Sequence, residues 1–497
     1  MPDISGTRHS TSVILCWLIH SAKRSIRPPC VIGGMILCRN RARRKQGPEV
    51  MPGDAADRCI PAALSVMLAT MKRIAPAPAT SYYETTIAPP RPTRARLRGE
   101  MEVDVAICGG GISGVSTALH LAERGLRVAL LEAGQVGAGA SGRSGGQILN
   151  GFSAAQTALE ERYGLYKAQQ LYALSLEAVQ MVRERVTRHE IQCDFMEGAV
   201  TLAVKPRHLA DFRSEARRMA DQYGQQGLEV WDLDQTRAAV RSNAYIGGLY
   251  DPHGCHLHPL NYTLGLARAA EAAGAMIYEE SRVKAWASGS RPMLATAEGR
   301  IYAKHIVFCG NAYLGKLVRD LWPLIMPVAS CIIATEPLGD RLQACLARPL
   351  SACDANIVLD YFRPTGDGRL LFGGLANYSG REPRNIIKTL RPRLQKIFPQ
   401  IADAKIDFGW GGLIAITPRR EPQMGQIEQN VWFAHGYSGH GLALATLAGA
   451  LLAEGICDRS DRLDLLESLP RPEFPGGRFR TAALVMGMLA MRARDLL

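Results

Sequence analysis

The chain has 497 residues, 47% of them hydrophobic and 21% charged, with 59 Lys/Arg against 46 Asp/Glu. That composition excludes a disordered chain, a collagen-like chain and a small disulfide scaffold, and it leaves room for two or three domains. The net charge of +13 is unevenly placed. Residues 1–75 carry 12 Lys/Arg and 4 Asp/Glu, whereas the remainder carries 47 and 42. The body is therefore only mildly basic and gives no signal for a nucleic-acid partner. No apolar run approaches the ~20 residues of a membrane span, so no transmembrane segment is expected.

Residues 1–75 read as an extension. Two short apolar runs, Val13–Ile19 and Val31–Cys38, precede the basic run Arg39–Lys45. That order does not suit a signal peptide. The extension is either disordered, a transit peptide of poor amphipathicity, or translated leader ahead of a true start at Met67 or Met71. Residues 76–100, rich in Pro and Arg, read as an extended lead-in arm. The 12 cysteines include no CxxC pair, which points to a reducing, cytoplasmic compartment.

The informative stretch begins at Val103. A short apolar strand, Val103–Cys108, runs into Gly109, Gly111 and Gly114 in G-x-G-x-x-G spacing. A helix over 115–124, a cap at Gly125 and a strand over 127–131 follow, ending at Glu132. The first glycine permits the tight turn, the second lets backbone approach a pyrophosphate, and the third lets helix and strand pack closely. The helix N-terminus offers N–H groups and a positive dipole end to phosphate. Glu132 can accept both ribose hydroxyls and would repel a 2′-phosphate, which disfavours NADP. All five parts in order specify a dinucleotide site far better than the glycines alone. A second glycine-rich loop, residues 137–147, contains Ser141, Gly142, Arg143, Ser144, Gly145 and Gly146. Donor-rich backbone here suits a longer extended ligand, FAD rather than NAD; a flexible surface loop is the alternative.

These motifs resemble the FAD-dependent amine oxidase family that contains D-amino acid oxidase, glycine oxidase and sarcosine oxidase. Ser81-Tyr82-Tyr83, Cys255–Asn261, Tyr361-Phe362-Arg363, Arg369–Gly374, Trp410-Gly411-Gly412, Thr417-Pro418 and His435–Gly441 extend the resemblance over residues 80–497. Within the family it leans toward the gamma-glutamylputrescine oxidase branch. One departure stands out. The family often has Asp after Thr-Pro, and here Arg419-Arg420 follows Thr417-Pro418.

The resemblance implies an α/β fold: a Rossmann-like FAD-binding domain interleaved with an antiparallel β-sheet substrate domain. FAD-binding segments are expected at 101–155, 256–325 and 406–470. Substrate-domain segments are expected at 156–255 and 326–405, and a C-terminal helix at 471–497. It implies bound FAD and a reaction of a small-molecule amine with oxygen. A hydride passes from the carbon beside nitrogen to the flavin, and aldehyde, ammonia and hydrogen peroxide result. γ-Glutamylputrescine or a related polyamine derivative is the expected substrate. A sarcosine-type dehydrogenase using another acceptor, or a non-catalytic flavin-binding subunit, are the competing readings. The oligomeric state stays open.

Further along, helices are expected over 165–188, 208–223 and 259–274, and strands over 197–204, 276–279, 301–308, 328–335, 356–362 and 369–374. Gly310 either approaches the adenine–pyrophosphate side or ends a strand. Tyr361, Arg363 and Arg369 either line the substrate cavity or make structural pairs. A strand from Trp432 leads to Gly439, His440 and Gly441 and then an apolar helix, whose N-terminus would face the flavin and stabilise negative charge. His440 is either a flavin contact or a cap. His256 and His258 flank Leu257, but no acidic or Cys partner stands nearby, so no metal is expected.

Overall fold

The computed structural model describes residues 80–487 apart from 357 and 459, and these fall in one compact unit. The extension 1–75, the start of the lead-in arm and the last ten residues lie outside the described residues.

The apolar strand Gly99–Cys108 sits in the middle of an eight-stranded sheet. It pairs in parallel with Val128–Leu131 on one side and Gly299–Phe308 on the other. Val431–His435 and Met276–Tyr278 extend the parallel array outward. Gln423–Glu428 and the hairpin Ala285–Ala287 with Met293–Ala295 add antiparallel edges. Interior positions such as Val105, Ala106 and Ile107 are fully buried, as expected for a parallel sheet covered on both faces. The register aligns Cys108 with Leu131 and with Phe308, and Phe308 with Phe433. The carboxyl ends of four strands therefore form one row, and the glycine loops leave from that row.

Helices Ile112–Ala122 and Gly441–Cys457 cover this sheet and pack on each other. The Ser116 hydroxyl donates to the Thr446 carbonyl at 2.7 Å. A Cβ on Gly449 would lie 2.5 Å from Ser116 Cβ, so the crossing needs a glycine's small profile. The first helix begins at Ile112 rather than 115, because Gly111 already takes the N-cap position.

The second sheet has nine strands, in the order Ile406–Ile416, Met326–Thr335, Leu370–Asn377, Tyr361–Pro364, Ser351–Asp354, Met196–Ala203, Gly247–His256 and Gln147–Ile148, with Glu229–Trp231 beside Gly247–His256. All pairs are antiparallel except Ser351–Asp354 with Met196–Ala203. Alternation sorts the side chains to two faces. Ile333, Phe362 and Phe372 pack beneath helix Ile386–Ile397. Ile332, Leu371, Trp410 and Tyr361 turn the other way, into the core shared with the nucleotide sheet.

Three expectations change. Of the strand expected at 356–362, only Tyr361 and Phe362 are in a strand; they begin Tyr361–Pro364, which forms a hairpin with Ser351–Asp354, Ala352 opposite Phe362. The Asp354 carboxylate accepts the Asn356 N–H at 3.0 Å and turns the chain between them. The third FAD-binding segment does not begin at 406. Ile406–Ile416 pairs along its whole length with Met326–Thr335, so it belongs to the second sheet. At the C-terminus, the helix expected from 471 starts only at 480, after a 3₁₀ turn over Gly477–Phe479. Among the described residues, no single helix is long and apolar enough to cross a membrane.

Candidate functional site: a dinucleotide cradle under the second sheet

Gly109 turns at φ +114°, and a Cβ there would lie 2.9 Å from the Cys309 carbonyl and the Gly310 nitrogen. Gly310 thus closes the turn from the neighbouring strand. A Cβ on Gly114 would collide with the Gly109 carbonyl oxygen, and one on Gly111 would lie 2.8 Å from Ser141 Oγ. The Ile112 N–H donates to Ser141 Oγ at 2.9 Å, so the second loop reaches into the first helix terminus. Glu132 accepts the Gly110 N–H at 2.6 Å and the Gly134 N–H at 2.9 Å. Burial raises its pKa, and the same N–H groups oppose that shift.

The second loop is fastened along its length. Gly137 N–H donates to the Gly110 carbonyl at 3.0 Å, and residues 140–142 form one 3₁₀ turn. Arg143, 7% exposed, donates through Nε to the Gly411 carbonyl at 2.6 Å, while its own carbonyl accepts the Trp410 indole N–H at 3.0 Å. The Ser144 carbonyl accepts the Tyr83 hydroxyl at 2.9 Å. The Gly145 carbonyl accepts Arg363 Nε at 2.6 Å, and the Gly146 carbonyl accepts the Leu257 N–H at 2.9 Å. Lead-in arm, loop and second sheet are locked together here.

The three cavity candidates part company. Tyr361 packs against Gly145 and Gly373: a Cβ on Gly145 would sit 2.8 Å from its ring. Its hydroxyl is 3.4 Å from Ser330 Oγ, and burial raises its pKa, so it stays a neutral phenol. Arg363 is 2% exposed, and its guanidinium donates to the Gly145, Pro364 and Leu257 carbonyls and to the Tyr83 hydroxyl. It shapes the loop and offers no free charge. Arg369 is held by Asp367 at 2.7 Å, Asp407 at 2.6 Å and the Thr335 carbonyl at 2.7 Å. The carboxylates keep it charged, and it is tied to Tyr82 through Asp367.

The other wall is the segment ending in Gly439, His440 and Gly441. Gly436, Ser438 and Gly439 all have positive φ. The Gly436 N–H donates to Asn311 Oδ1 at 3.0 Å, and the Ser438 N–H to the Ala415 carbonyl at 2.9 Å. Gly441 opens the long helix, with His440 at its N-cap position. The His440 side chain makes no capping hydrogen bond, and its Nδ1 is buried without a partner. Burial lowers its pKa and keeps the ring neutral. Tyr437 donates or accepts at 2.6 Å from Ser113 Oγ, coupling the two helix N-termini.

Sequence reasoning missed Tyr83, Ser113, Asn311, Trp410 and Tyr437 as site residues. Each acts through a long-range bond that no local motif announces. The site as a whole is two helix N-termini, a row of glycines that tolerate no Cβ, a carboxylate ready for ribose hydroxyls and one orphaned imidazole nitrogen. Those donors and spaces fit FAD, and Gly109–Gly114 and Glu132 are the residues that would hold its adenosine and pyrophosphate.

Comparison with known proteins agrees. Residues 104–455 match the family described as FAD dependent oxidoreductase. The chain is 39% identical over 405 residues to gamma-glutamylputrescine oxidoreductase of Escherichia coli (strain K12), covering 81% of this chain and 95% of that protein. It is 26% identical to glycine oxidase of Geobacillus kaustophilus, over 73% of this chain and 95% of that one. The crystal structure of glycine oxidase from Geobacillus kaustophilus superposes with a TM-score of 0.60 at 23% identity, covering 72% of this chain and 96% of the other. The chain belongs to the FAD-dependent oxidoreductase family of the D-amino acid oxidase type, and it is an FAD-dependent enzyme.

Proposed function

We propose that this enzyme oxidises the terminal primary amine of γ-glutamylputrescine or a close N-acyl diamine, with oxygen as electron acceptor. The observation that carries the reading is the 39% identity running through 95% of the Escherichia coli gamma-glutamylputrescine oxidoreductase. FAD, when bound, supplies the two-electron chemistry: a hydride leaves the carbon beside the amine nitrogen, water turns the imine into aldehyde and ammonia, and oxygen leaves as hydrogen peroxide.

The chain's own residues bind, orient and desolvate. The N-terminus of helix Gly441–Cys457 brings a positive dipole end to the site and favours negative charge there. The Tyr361 ring packs against Gly145 and Gly373 and the Trp410 indole N–H holds the Arg143 carbonyl, which makes this wall of the loop apolar and fixed. Buried imidazole and phenol groups stay neutral, so a neutral amine meets no competing charge from His440 or Tyr361.

The test is to purify the yellow protein, add amines without oxygen and follow the flavin absorbance. Bleaching by γ-glutamylputrescine, reversed by air with one peroxide per turnover, is the expected result. Bleaching that air does not reverse moves the enzyme to the dehydrogenases. A flavin that no amine bleaches removes the substrate assignment.

A further inference from the structure

The second glycine loop is held by its carbonyls, one after another. Those of Arg143, Ser144, Gly145 and Gly146 accept, in turn, the Trp410 indole N–H at 3.0 Å, the Tyr83 hydroxyl at 2.9 Å, Arg363 Nε at 2.6 Å and the Leu257 N–H at 2.9 Å. The holders are themselves joined. Arg363 Nη2 donates to the Tyr83 hydroxyl at 3.1 Å and to the Leu257 carbonyl at 3.0 Å, and the Tyr83 ring meets Trp410 edge-on at 5.3 Å. In a planar trans peptide, a carbonyl and the next N–H point to opposite sides. The N–H groups of Ser144, Gly145 and Gly146 therefore each point away from the group that holds the preceding carbonyl. None of these three N–H groups has an acceptor among the described residues. Successive backbone donors of this kind suit an acceptor-rich ligand.

Glycines leave such a loop free to rotate its peptides unless something outside holds them. Here the glycines are required: a Cβ at 145 would sit 2.8 Å from the Tyr361 ring, and Gly146 has φ +75°. The holding group Tyr83 comes from the lead-in arm, which is anchored independently of the loop. Tyr82 donates to Asp367 Oδ1 at 2.7 Å, Thr86 Oγ1 lies 3.0 Å from His258 Nε2, and the Ala88 N–H donates to Asn261 Oδ1 at 3.1 Å. The same arm grips the entry of the loop. Arg91 Nη1 donates to the Val136 carbonyl at 2.8 Å. Arg94, 3.1 Å from Glu279, fixes the carboxylate that accepts the Val136 N–H at 2.8 Å. One arm thus reaches the loop at Val136 and again at Ser144. Tyr83 is fully buried, and burial raises its pKa, so the phenol keeps the proton that it donates.

We infer that the lead-in arm is a clasp for the cofactor loop, with Tyr83 and Arg91 as positioning residues that hold the loop's N–H groups in the orientation in which FAD is bound. Both act through backbone carbonyls of the loop. Without the clasp the loop samples other peptide orientations, and affinity for FAD falls in proportion to the binding-competent fraction that is left. The inference concerns the cofactor, so it stands whichever amine is oxidised.

The test uses the full-chain holoenzyme and reads FAD release on dilution, by the recovery of flavin fluorescence, together with the visible flavin spectrum. Tyr83→Phe keeps the ring against Trp410 and His258 and removes only the hydroxyl. It is expected to weaken FAD retention ~5- to 30-fold, the effect of one buried hydrogen bond left unmade, and to shift the flavin spectrum. Arg91→Met is expected to weaken retention in the same direction by a smaller factor. Tyr82→Phe is the control: it breaks the bond to Asp367 on the same arm but touches no loop carbonyl, and it should retain FAD as the wild type does. Equal losses in Tyr82→Phe and Tyr83→Phe would make the arm a general brace and overturn the inference. Wild-type retention in both Tyr83→Phe and Arg91→Met would overturn it as well. If Tyr83→Phe does not fold, Arg91→Met against Tyr82→Phe carries the same comparison.

Discussion

Glu132 shows how one residue can be legible and still need the fold. Its distance from the glycine turn marks it in the sequence as the ribose acceptor. The structure adds that two backbone N–H groups already orient its carboxylate. A charged acceptor held this way is worth about 1.5–3 kcal/mol to a ligand that uses it. Glu132→Ala should therefore weaken FAD binding by ~10- to 100-fold while the protein stays folded, as measured by flavin retention on dialysis and by circular dichroism. Retention equal to wild type would remove Glu132 from the cradle. Arg363 and Arg369 mark the opposite case. A sequence shows a cation beside an aromatic, but not whether its donors end on carbonyls or carboxylates far along the chain.

At the scale of elements, the crossing of Ile112–Ala122 with Gly441–Cys457 sets the distance between the N-termini of the two helices. Gly449 against Ser116 is the closest point of that crossing. Gly449→Ala gains helix propensity but drives a methyl into Ser116, a strain of about 1–3 kcal/mol. It should lower the Tm of the apoprotein and loosen FAD together, because the Tyr437–Ser113 bond spans the same two helices. A Tm at or above wild type would mean that the helices separate freely. The elements themselves were largely readable, since strand, glycine turn, helix and apolar strand each have a local period. The hairpin at 351–364 was not, because an Asx turn at Asp354 interrupts an otherwise continuous strand pattern.

At the scale of the whole molecule, buried histidines dominate the acid response. Burial lowers the pKa of His120 to about 4 and of His258 and His435 to about 3, against about 6.5 in the unfolded chain. His120 shows the cause: its Nε2 lies 2.7 Å from an Arg185 guanidinium nitrogen, so Nδ1 carries the proton toward the Ser116 carbonyl at 2.7 Å and the ring must stay neutral. A base whose pKa falls on folding contributes fully above the unfolded value and loses that contribution as pH drops toward the folded one. Asp354, held up to about 7 by burial and by Asp360, works in the opposite direction, as do Asp360 and Glu132, which burial also raises, but the histidines lowered by burial outnumber these carboxyls. Urea unfolding should therefore show stability falling as pH goes from 7 to 4. A flat or rising profile would mean that these imidazoles are not buried neutral.

The strand–glycine-turn–helix unit was legible along the chain. The G-x-G-x-x-G turn, Glu132 and the Gly439–Gly441 helix start are local features, because tight backbone turns admit only certain residues. The second sheet and its buried cations were not legible in that way. Whether Ile406–Ile416 joins one sheet or the other depends on pairing with Met326–Thr335, some eighty residues away. Whether Arg363 or Arg369 keeps a free charge depends on which distant carbonyl or carboxylate reaches it. Local pattern cannot encode that, since hydrogen-bond partners across a core are chosen by packing and not by spacing along the chain.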